Sequence, residues 1–391
     1  MDITIYPQKL NGRMQAIASK SQAHRVLICA ALSDNDTIIY CPDTNRDIEA
    51  TVSCLNSIGA SIKRTDDGYA VSPIRTPARS AQIHCGESGS TLRFMLPIVG
   101  ALGIDTTIHM EGRLPNRPLS PLWEEMERMG CILSRPTATT IRSTGKLRPG
   151  TYSIDGGVSS QYITGLLLAL PLIVGNSTVE VTGTLQSESY VKLTKQVIDM
   201  FRNSETSAYH SPGYIQIEGD WSNGAFVVAA NNFSNTIEID GLNEGSVQGD
   251  RVCVDLINKL SEKIEIDAAD IPDLVPILAV TAACKKGAIF TNIARLRLKE
   301  SDRVQSVISL LTALGASAQA TENTLEVFPA PFGTCEINSY NDHRIAMSGA
   351  IAATCASGPV TIKNAQCVEK SYPIFWEVYK QLGGQYEQHI R

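Results

Sequence analysis

Residues 19–32 read SKSQAHRVLICAAL, so that small hydroxyl residues flank a lysine and an apolar run at helical spacing follows. Serine suits the N-cap of a helix, because its side-chain oxygen accepts a hydrogen bond from an amide that the first turn leaves unpaired. Those amides and the helix dipole favour an anion at this end, and Lys20 and Arg25 add formal positive charge. Taken alone, the stretch also fits an ordinary capped helix whose two cations are solvated.

The same order of a polar start and an apolar run recurs along the chain. It begins again at residues 86–93, 156–162, 218–224, 271–276 and 340–344, at intervals of roughly 50 to 70 residues. A supersecondary unit that returns at a regular period indicates a repeat architecture. Six buried helices with polar N-termini could therefore converge on one site that binds anions.

Length and charge narrow the class of protein. A chain of 391 residues is too long for one ordinary core, so two domains are expected. The net charge is −6 without a basic tail, which disfavours nucleic acid and anionic membranes as partners. The start of the chain lacks the pattern of a signal peptide, and the longest apolar run, residues 166–174, is too short to span a bilayer.

The cysteines and histidines do not form a metal-binding pattern. Ten cysteines are scattered without a C-x-x-C pair, and the six histidines form no H-E-x-x-H motif. Several cysteines lie in apolar helical runs, as is typical of reduced core thiols in a cytoplasmic protein.

Each predicted helix of the apolar kind is followed by the same elements. After the first one, the pattern predicts a strand at residues 37–40, an amphipathic helix at 46–58 and a hairpin from 60–63 to 68–71. Six such units predict two domains of three units, each with three apolar helices buried inside a ring of sheets. The boundary is expected near residues 214–221.

Motifs at the starts of the repeats, taken together, resemble a known family. They are Lys20-Ser21 with Arg25, the run ending at Arg93, Arg117-Pro118, Ser159-Ser160-Gln161, the run KESDR at 299–303 and Asp342-His343-Arg344. In this order they are similar to the 5-enolpyruvylshikimate-3-phosphate (EPSP) synthases. The resemblance extends from the first unit to Lys370, which is nearly the whole chain.

The resemblance implies the fold and its division. It implies an α/β protein with the two-domain enolpyruvyl-transferase fold, an inside-out α/β barrel with three βαβαββ repeats per domain and buried helices. One discontinuous domain would comprise residues 1–18 and 221–391 and contain both termini, and an inserted domain would comprise residues 19–220. The active site would lie in the cleft between them.

The resemblance also implies the activity. Members of the family transfer the enolpyruvyl group of phosphoenolpyruvate to the 5-hydroxyl of shikimate 3-phosphate and release phosphate, by addition and elimination through a tetrahedral intermediate. They need no metal or organic cofactor. The expected partners are therefore these two small molecules, with no nucleic acid and no membrane, and a cytoplasmic monomer is expected.

Position by position, the resemblance assigns the substrate ligands. Shikimate 3-phosphate would be held by Lys20, Ser21, Arg25, Ser159, Ser160, Gln161, Ser187, Tyr190, Asp273 and Lys299. Phosphoenolpyruvate would be held by Lys20, Gly89, Arg93, Arg117, Gln161, Arg303, Arg344 and Lys370. The serines would bind the phosphate of the acceptor, and Arg25 would pair with its carboxylate.

The catalytic candidates are Asp273, Glu300 and Lys20. The reaction removes a proton from a hydroxyl group and delivers one to the methylene carbon of the enol. Asp273 is the matched base, although Ile-Pro-Asp could merely cap a helix. Glu300 and Lys20 are the candidates for the proton on carbon, and their order cannot be assigned because crowded ionic groups titrate together. For His343, a structural and a catalytic role stay equally open.

Charge counting agrees with two anionic substrates. Each carries a carboxylate and a phosphate, so the pair brings roughly six negative charges. The matched positions supply eight cations, which are Lys20, Arg25, Arg93, Arg117, Lys299, Arg303, Arg344 and Lys370. Without ligand these cations are expected to repel one another, which favours an open form that closes on binding.

Two residues depart from the family pattern. Glu87 stands where members usually have asparagine, and Ser90 stands where they usually have threonine. A carboxylate beside a phosphate-binding helix end should repel the donor unless it turns away or pairs with an arginine.

Three other functions remain to be weighed. The related transferase that acts on a UDP-amino sugar usually carries a cysteine in a mobile loop, and residues 111–122 contain none. RNA 3′-phosphate cyclases share the repeat but need a nucleotide site and a nucleophilic histidine, which the acidic balance disfavours. An inactive anion-binding protein would keep the arginines, but retention of Asp273 and Glu300 argues against it.

Overall fold

The computed structural model describes residues 1–202 and 209–389. The chain folds as two compact units, which are Met1–Ile17 with Gly219–Arg391 (unit 1) and Ala18–Glu218 (unit 2). The chain therefore begins in unit 1, continues through the whole of unit 2 and returns to unit 1 at Gly219.

Within the described residues the helices are α1 (Lys20–Ala31), α2 (Arg46–Ser57), α3 (Gly89–Leu102), α4 (Leu122–Arg128), α5 (Ser160–Ala169), α6 (Glu188–Met200), α7 (Trp221–Asn231), α8 (Cys253–Lys259), α9 (Val275–Cys284), α10 (Arg303–Leu314), α11 (His343–Ala353) and α12 (Phe375–Gln381). Short 3-10 turns at Gly249–Val252, Ala294–Leu298 and Ala365–Lys370 also carry residues of interest.

The strands are β1 (Asp2–Tyr6), β2 (Asn11–Gln15), β3 (Thr37–Tyr40), β4 (Ser61–Thr65), β5 (Gly68–Ser72), β6 (Ser80–His84), β7 (Asp105–His109), β8 (Cys131–Thr137), β9 (Thr140–Gly145), β10 (Thr151–Asp155), β11 (Thr178–Thr182), β12 (Tyr214–Gln216), β13 (Thr236–Asp240), β14 (Ile264–Asp267), β15 (Ala288–Thr291), β16 (Ser317–Ala320), β17 (Thr324–Phe328), β18 (Cys335–Asn338), β19 (Val360–Lys363) and β20 (Gln385–His389).

The sheets repeat one pattern. Unit 2 contains the sheets β12-β3-β5-β4, β6-β7-β9-β8 and β10-β11, and unit 1 contains β18-β19-β1-β20, β14-β15-β17-β16 and β13-β2. Every four-stranded sheet starts with a parallel pair and continues with two antiparallel pairs. Parallel strands need a crossover, and the helices α3, α5, α9 and α11 supply it between the strands that flank them.

The helices α1, α3 and α5 of unit 2 and α7, α9 and α11 of unit 1 are buried almost all round. In α11 every residue is buried, and in α9 every residue from Val275 to Ala283 is buried. Such helices have no polar face in the sequence, so they are stable only inside a core. The amphipathic α2, by contrast, buries one side only. The predicted alternation of buried and amphipathic helices is confirmed.

Side-chain caps begin five of these six helices. The caps are Ser19, Ser88, Ser159, Asp220 and Asp342. The exception is α9, which follows Leu274 and has no side-chain cap. The interpretation of Asp273 as a helix cap is therefore wrong, because its carboxylate makes other contacts that are described below.

No helix in residues 1–202 and 209–389 has both the length and the apolar character needed to cross a membrane.

Candidate active site

Unit 2 collects the starts of three buried helices. The side-chain oxygens of Ser19, Ser88 and Ser159 accept hydrogen bonds from amides of α1, α3 and α5 at 3.3–3.4 Å. Each cap pairs one amide, while the helix dipole still favours negative charge at all three starts. Lys20, Gly89 and Ser160 are the first residues of these helices.

Arg25 links α1 to the two helices beside it. It is only 3% exposed, and its Nε donates to Thr194 Oγ1 of α6 at 2.8 Å. Its Nη2 donates to the carbonyl of Tyr190 at 3.2 Å and to Thr164 Oγ1 of α5 at 3.4 Å. Burial lowers the pKa of Arg25 to about 10. These oxygens are neutral, so they orient the guanidinium without offsetting its charge.

Arg93 joins three of the sequence motifs. Its Nη1 donates to Gln161 Oε1 at 3.1 Å, and its Nη2 donates to the carbonyl of Pro118 at 3.0 Å. Gln161 in turn donates from Nε2 to Ser90 Oγ at 3.0 Å. The predicted residues at 86–93, 117–118 and 159–161 are therefore in direct contact.

Gly89 allows two guanidinium groups to approach the same helix start. A Cβ atom at this position would lie 2.6 Å from Nη1 of Arg93 and 2.6 Å from Nη1 of Arg117. Any side chain would push these cations away. The glycine in the family pattern thus has a steric reason.

Lys20 is held by a residue that the sequence analysis missed. Its Nζ lies 2.9 Å from Asp47 Oδ2 in the first turn of α2. The carbonyl of Asp47 accepts a hydrogen bond from Thr91 Oγ1 of α3 at 3.3 Å, so α2 is fixed against α3 at this point. Acidic residues are common in the first turn of a helix, so the presence of Asp47 there did not indicate a contact with Lys20.

Of the remaining predicted residues of unit 2, Ser21 lies at the start of α1, and Ser187 and Tyr190 lie at the start of α6. The carbonyl of Ser21 accepts from Arg25 Nη1 at 2.6 Å, and the carbonyl of Ser187 accepts from the amide of Tyr190 at 3.1 Å. We call these predicted residues of unit 2 the helix-end cluster, which comprises Lys20, Ser21, Arg25, Gly89, Arg93, Arg117, Ser159, Ser160, Gln161, Ser187 and Tyr190.

Glu87 packs on the loop that follows β7. A Cβ atom at Gly112 would lie 2.7 Å from Oε2 of Glu87, so a larger residue there would displace the carboxylate. Gly112 also has φ +55°, which favours glycine for a second reason.

Unit 1 holds Asp273 between three cations. Its Oδ1 lies 2.5 Å from Arg303 Nη1 and 3.6 Å from Lys299 Nζ, and its Oδ2 lies 3.3 Å from Arg344 Nη2. Burial alone would raise the pKa of Asp273, but Arg344, Lys299 and Arg303 together hold it well below its ordinary value. Burial also lowers the pKa of Lys299 to about 8.

Arg303 donates hydrogen bonds to both carboxylates that are candidates for proton transfer. Besides Asp273, its Nη2 donates to Glu300 Oε2 at 2.6 Å, and its Nε donates to Asp342 Oδ2 at 2.9 Å. The residue is 1% exposed. Its rigid fork of donors therefore fixes three carboxylates relative to one another.

Asp342 has two structural tasks. Its Oδ1 accepts from the amide of Arg344 at 3.0 Å and so caps α11, while its Oδ2 accepts from Arg303 and from Ser301 Oγ, the latter at 3.1 Å. The start of α11 and the start of α10 are thereby tied together. We call Asp273, Lys299, Glu300, Arg303, Asp342 and Arg344 the carboxylate–cation cluster.

The expectation that the bare cations repel one another fails within this cluster. Three cations face three carboxylates there, so the unliganded cluster is electrically balanced. Lys370 lies beside it, since its Nζ donates to the carbonyl of Asn341 at 2.9 Å.

A further buried carboxylate, Asp250, also escaped the sequence analysis. It lies in the 3-10 turn before α8 and accepts a hydrogen bond from Ser222 Oγ of α7. The pair is separated by 28 residues, which is why no local pattern reveals it.

In residues 1–202 and 209–389 no three histidine, cysteine, aspartate or glutamate side chains are grouped so that they could hold a metal ion.

Comparison with known proteins finds relatives over nearly the whole chain. A family model described as EPSP synthase (3-phosphoshikimate 1-carboxyvinyltransferase) matches residues 5–265 and 257–379. The 3-phosphoshikimate 1-carboxyvinyltransferase of Clostridium kluyveri is 34% identical over 418 residues, covering 99% of this chain and 98% of the relative. The protein of the same name from Clostridium perfringens is 36% identical and covers 98% of both chains.

Solved structures agree on the fold. An EPSP synthase from Acinetobacter baumannii superposes with a TM-score of 0.78 at 21% identity, covering 99% of this chain and 100% of the other. The enolpyruvyl transferase NikO from Streptomyces tendae superposes with a TM-score of 0.77 at 16% identity, covering 99% and 98%.

Proposed function

The chain belongs to the EPSP synthase (3-phosphoshikimate 1-carboxyvinyltransferase) family, and we propose that its two clusters carry out this family's reaction. As a member, the protein transfers the enolpyruvyl group of phosphoenolpyruvate to the 5-hydroxyl of shikimate 3-phosphate and releases phosphate. This step lies on the shikimate pathway, which leads to chorismate and the aromatic amino acids. The single observation that supports the roles below most strongly is Asp273 between Lys299, Arg303 and Arg344.

The helix-end cluster suits the acceptor and the phosphate of the donor. Serine hydroxyls and first-turn amides at the starts of α1 and α5 are donors for a phosphate. Arg25, whose hydrogen bonds leave its charge without an offset, suits the carboxylate of shikimate 3-phosphate. Arg93 and Arg117, which converge on Gly89, suit the donor.

The carboxylate–cation cluster suits the chemistry. In our proposal Asp273 takes the proton from the 5-hydroxyl of shikimate 3-phosphate while the oxygen of that hydroxyl attacks C2 of phosphoenolpyruvate. Glu300 or Lys20 gives a proton to the methylene carbon, and a tetrahedral intermediate results. Loss of a proton from that carbon and departure of phosphate then form the product.

Arg303 and Arg344 would first position the carboxylates and then bind the donor. Before the donor arrives, Arg303 is engaged by Asp273, Glu300 and Asp342. An incoming carboxylate competes for the same donors and so loosens their hold on Asp273. In this way donor binding would make Asp273 a better base.

The matching experiment measures phosphate release by the purified protein with phosphoenolpyruvate and either shikimate 3-phosphate or a UDP-amino sugar. We expect release with the first acceptor only. Release with the UDP-amino sugar would favour the related transferase, and no release with either would favour an inactive anion-binding protein.

We further propose a monomer in the cytoplasm that acts without nucleic acid, membrane or cofactor. All ten cysteines are free thiols in the structure, and seven are buried, as suits a reducing compartment. We also propose that units 1 and 2 correspond to the two domains of three repeats. Sedimentation of the purified protein tests the oligomeric state.

A further inference from the structure

Asp250 is a buried carboxylate to which the reaction described above gives no task. It is 2% exposed, and it lies where the 3-10 turn before α8 packs against the first turn of α7. A charged side chain in such a place is costly unless something compensates it. The contacts of Asp250 lead to Arg344.

Ser222 connects the two residues. Its hydroxyl donates to Asp250 Oδ2, and its backbone carbonyl accepts from Arg344 Nη1 at 3.4 Å. The same Nη1 also donates to the carbonyl of Asp273 at 3.2 Å. One residue of α7 therefore touches both the buried carboxylate and the arginine.

Charge connects them as well. Burial and the negative charge of Asp273 raise the pKa of Asp250, and Arg344 opposes both effects, so that the pKa stands at about 6. Interactions of this kind are reciprocal, so Asp250 weakens the attraction of Arg344 for other anions. Asp273 is one of those anions, and the donor is proposed to be another.

We infer that Asp250 is a positioning residue for Arg344, which it fixes through Ser222 and whose hold on Asp273 it limits by its own negative charge. This inference rests on the proposed assignment of Arg344 to the donor and of Asp273 to the base. In this view the negative charge of Asp250 lowers the affinity for the donor but increases turnover.

Asp250→Asn should therefore move binding and turnover in opposite directions. With one negative charge removed, the KM for phosphoenolpyruvate and the inhibition constant of inorganic phosphate should fall by about 3- to 10-fold. Because Arg344 then holds Asp273 more firmly, kcat at saturating shikimate 3-phosphate should fall by about 3- to 10-fold. A loss of packing alone would raise KM or lower both affinity and rate.

The pH profile offers a second readout. The charged and titratable groups that face Asp250 are Arg344 of α11, Asp273 before α9, Asp220 at the start of α7, and Cys253 of α8. As the pH falls from 8 to 5.5, the KM and kcat of the wild type should approach those of Asp250→Asn, because protonation of Asp250 removes the same negative charge. Comparing the two proteins at each pH cancels the ionisation of the donor phosphate itself.

Two further variants keep the test decisive. Asp255→Asn removes an exposed carboxylate from the adjacent helix and should behave as wild type. Ser222→Ala removes the hydroxyl that stabilises ionised Asp250, so it should change KM and kcat in the same directions as Asp250→Asn, by smaller factors. If Asp250→Asn does not fold, Ser222→Ala decides alone.

The outcomes separate this inference from the proposed function. If Arg344→Ala leaves the KM for phosphoenolpyruvate unchanged, the assignment of Arg344 to the donor is wrong. If Arg344→Ala raises that KM while Asp250→Asn and Ser222→Ala leave both constants as in Asp255→Asn, the inference about Asp250 alone is overturned.

Discussion

Asp273 illustrates how a single residue acquires its chemistry from its neighbours. A carboxylate beside three cations is a weak base, because the charged form is favoured. A donor that brings its own carboxylate and phosphate to the same cations offsets them. Removing the proton from the acceptor hydroxyl is therefore coupled to the presence of the donor.

Replacing Asp273 by asparagine tests this role. Asp273→Asn should lower kcat by roughly 10² to 10⁴, because no other group is assigned to accept the hydroxyl proton. Initial rates of phosphate release give the effect, and circular dichroism checks that the fold is retained. Asp270→Asn, at an exposed position three residues earlier, should turn over normally. A variant Asp273→Asn with near-normal kcat would remove this residue from the chemistry.

His24 predicts how the stability of the protein depends on pH. It is buried, its Nδ1 lies 2.8 Å from Thr51 Oγ1, and its Nε2 has no hydrogen-bond partner among residues 1–202 and 209–389. Burial, helped by Lys20 and Arg25, holds the pKa of His24 well below its ordinary value. Below about pH 6.5 His24 is protonated in the unfolded chain but stays neutral in the folded chain. The free energy of unfolding that is present above this pH is therefore lost as the pH falls.

Urea unfolding between pH 7.5 and pH 5 measures this loss. The free energy of unfolding should fall less steeply with acid in His24→Gln than in the wild type, whatever the absolute stability of the variant. His389→Gln, at an exposed histidine, should follow the wild-type slope. Equal slopes for His24→Gln and the wild type would show that the pKa of His24 is the same in the folded and the unfolded protein, which would contradict its burial as a neutral side chain.

Among the secondary-structure elements, the contact between α3 and α5 depends on one glycine. A Cβ atom at Gly165 of α5 would lie 2.2 Å from the carbonyl oxygen of Arg93 and 3.1 Å from Pro97 Cγ, both in α3. A backbone atom cannot turn aside as a flexible side chain can. The close approach also sets the distance between the side chains of Arg93 and Gln161, and Gln161 lies one turn before Gly165 in α5.

Gly165→Ala should therefore affect both stability and function. We expect the free energy of unfolding to fall by about 1–3 kcal/mol and the KM for phosphoenolpyruvate to rise, because the two helices must separate. Chemical denaturation and initial rates measure the two effects. Gly333→Ala is the matched control, since a Cβ atom there meets nothing within 4 Å. If both variants unfold at the same denaturant concentration, the helices are not in contact as described.

The starts of the elements were the most predictable part of the chain. Polar residues before apolar runs predicted helix starts at residues 19–32, 86–93 and 156–162, where the structure has the caps Ser19, Ser88 and Ser159. Such starts are predictable because capping is a local interaction between residues two or three apart. At residues 271–276 the same pattern was wrong about Asp273, since contacts with distant cations outweigh a cap that the local sequence would permit.

At the scale of the whole molecule, local patterns stop being informative. The two-domain enolpyruvyl-transferase fold could be predicted because six motifs occur in order, and the solved structures confirm it. The partners of the motif residues could not. Asp47 holds Lys20 and Ser222 holds Asp250 across 27 and 28 residues, and no period or spacing in the sequence encodes these pairs.

One small molecule should protect both units from hydrogen exchange. The proposed ligands of shikimate 3-phosphate come from unit 2, with Ser21 and Ser159 at the starts of α1 and α5, and from unit 1, with Asp273 and Lys299. A bound ligand stabilises whatever it contacts by mass action, by about 2.7 kcal/mol when present at 100 times its Kd. Amides near all four residues should therefore exchange more slowly when the acceptor alone is added.

Mass spectrometry of deuterium uptake resolves the two units in one sample. Peptides from the starts of α1 and α5 and peptides that contain residues 271–276 and 296–301 should all take up deuterium more slowly with shikimate 3-phosphate. The matched control is Arg25→Ala, in which the acceptor loses its proposed carboxylate partner, so the protection should weaken in unit 1 as well as in unit 2. Protection confined to unit 2 in the wild type would assign the acceptor to the helix-end cluster alone and remove Asp273 and Lys299 from its ligands.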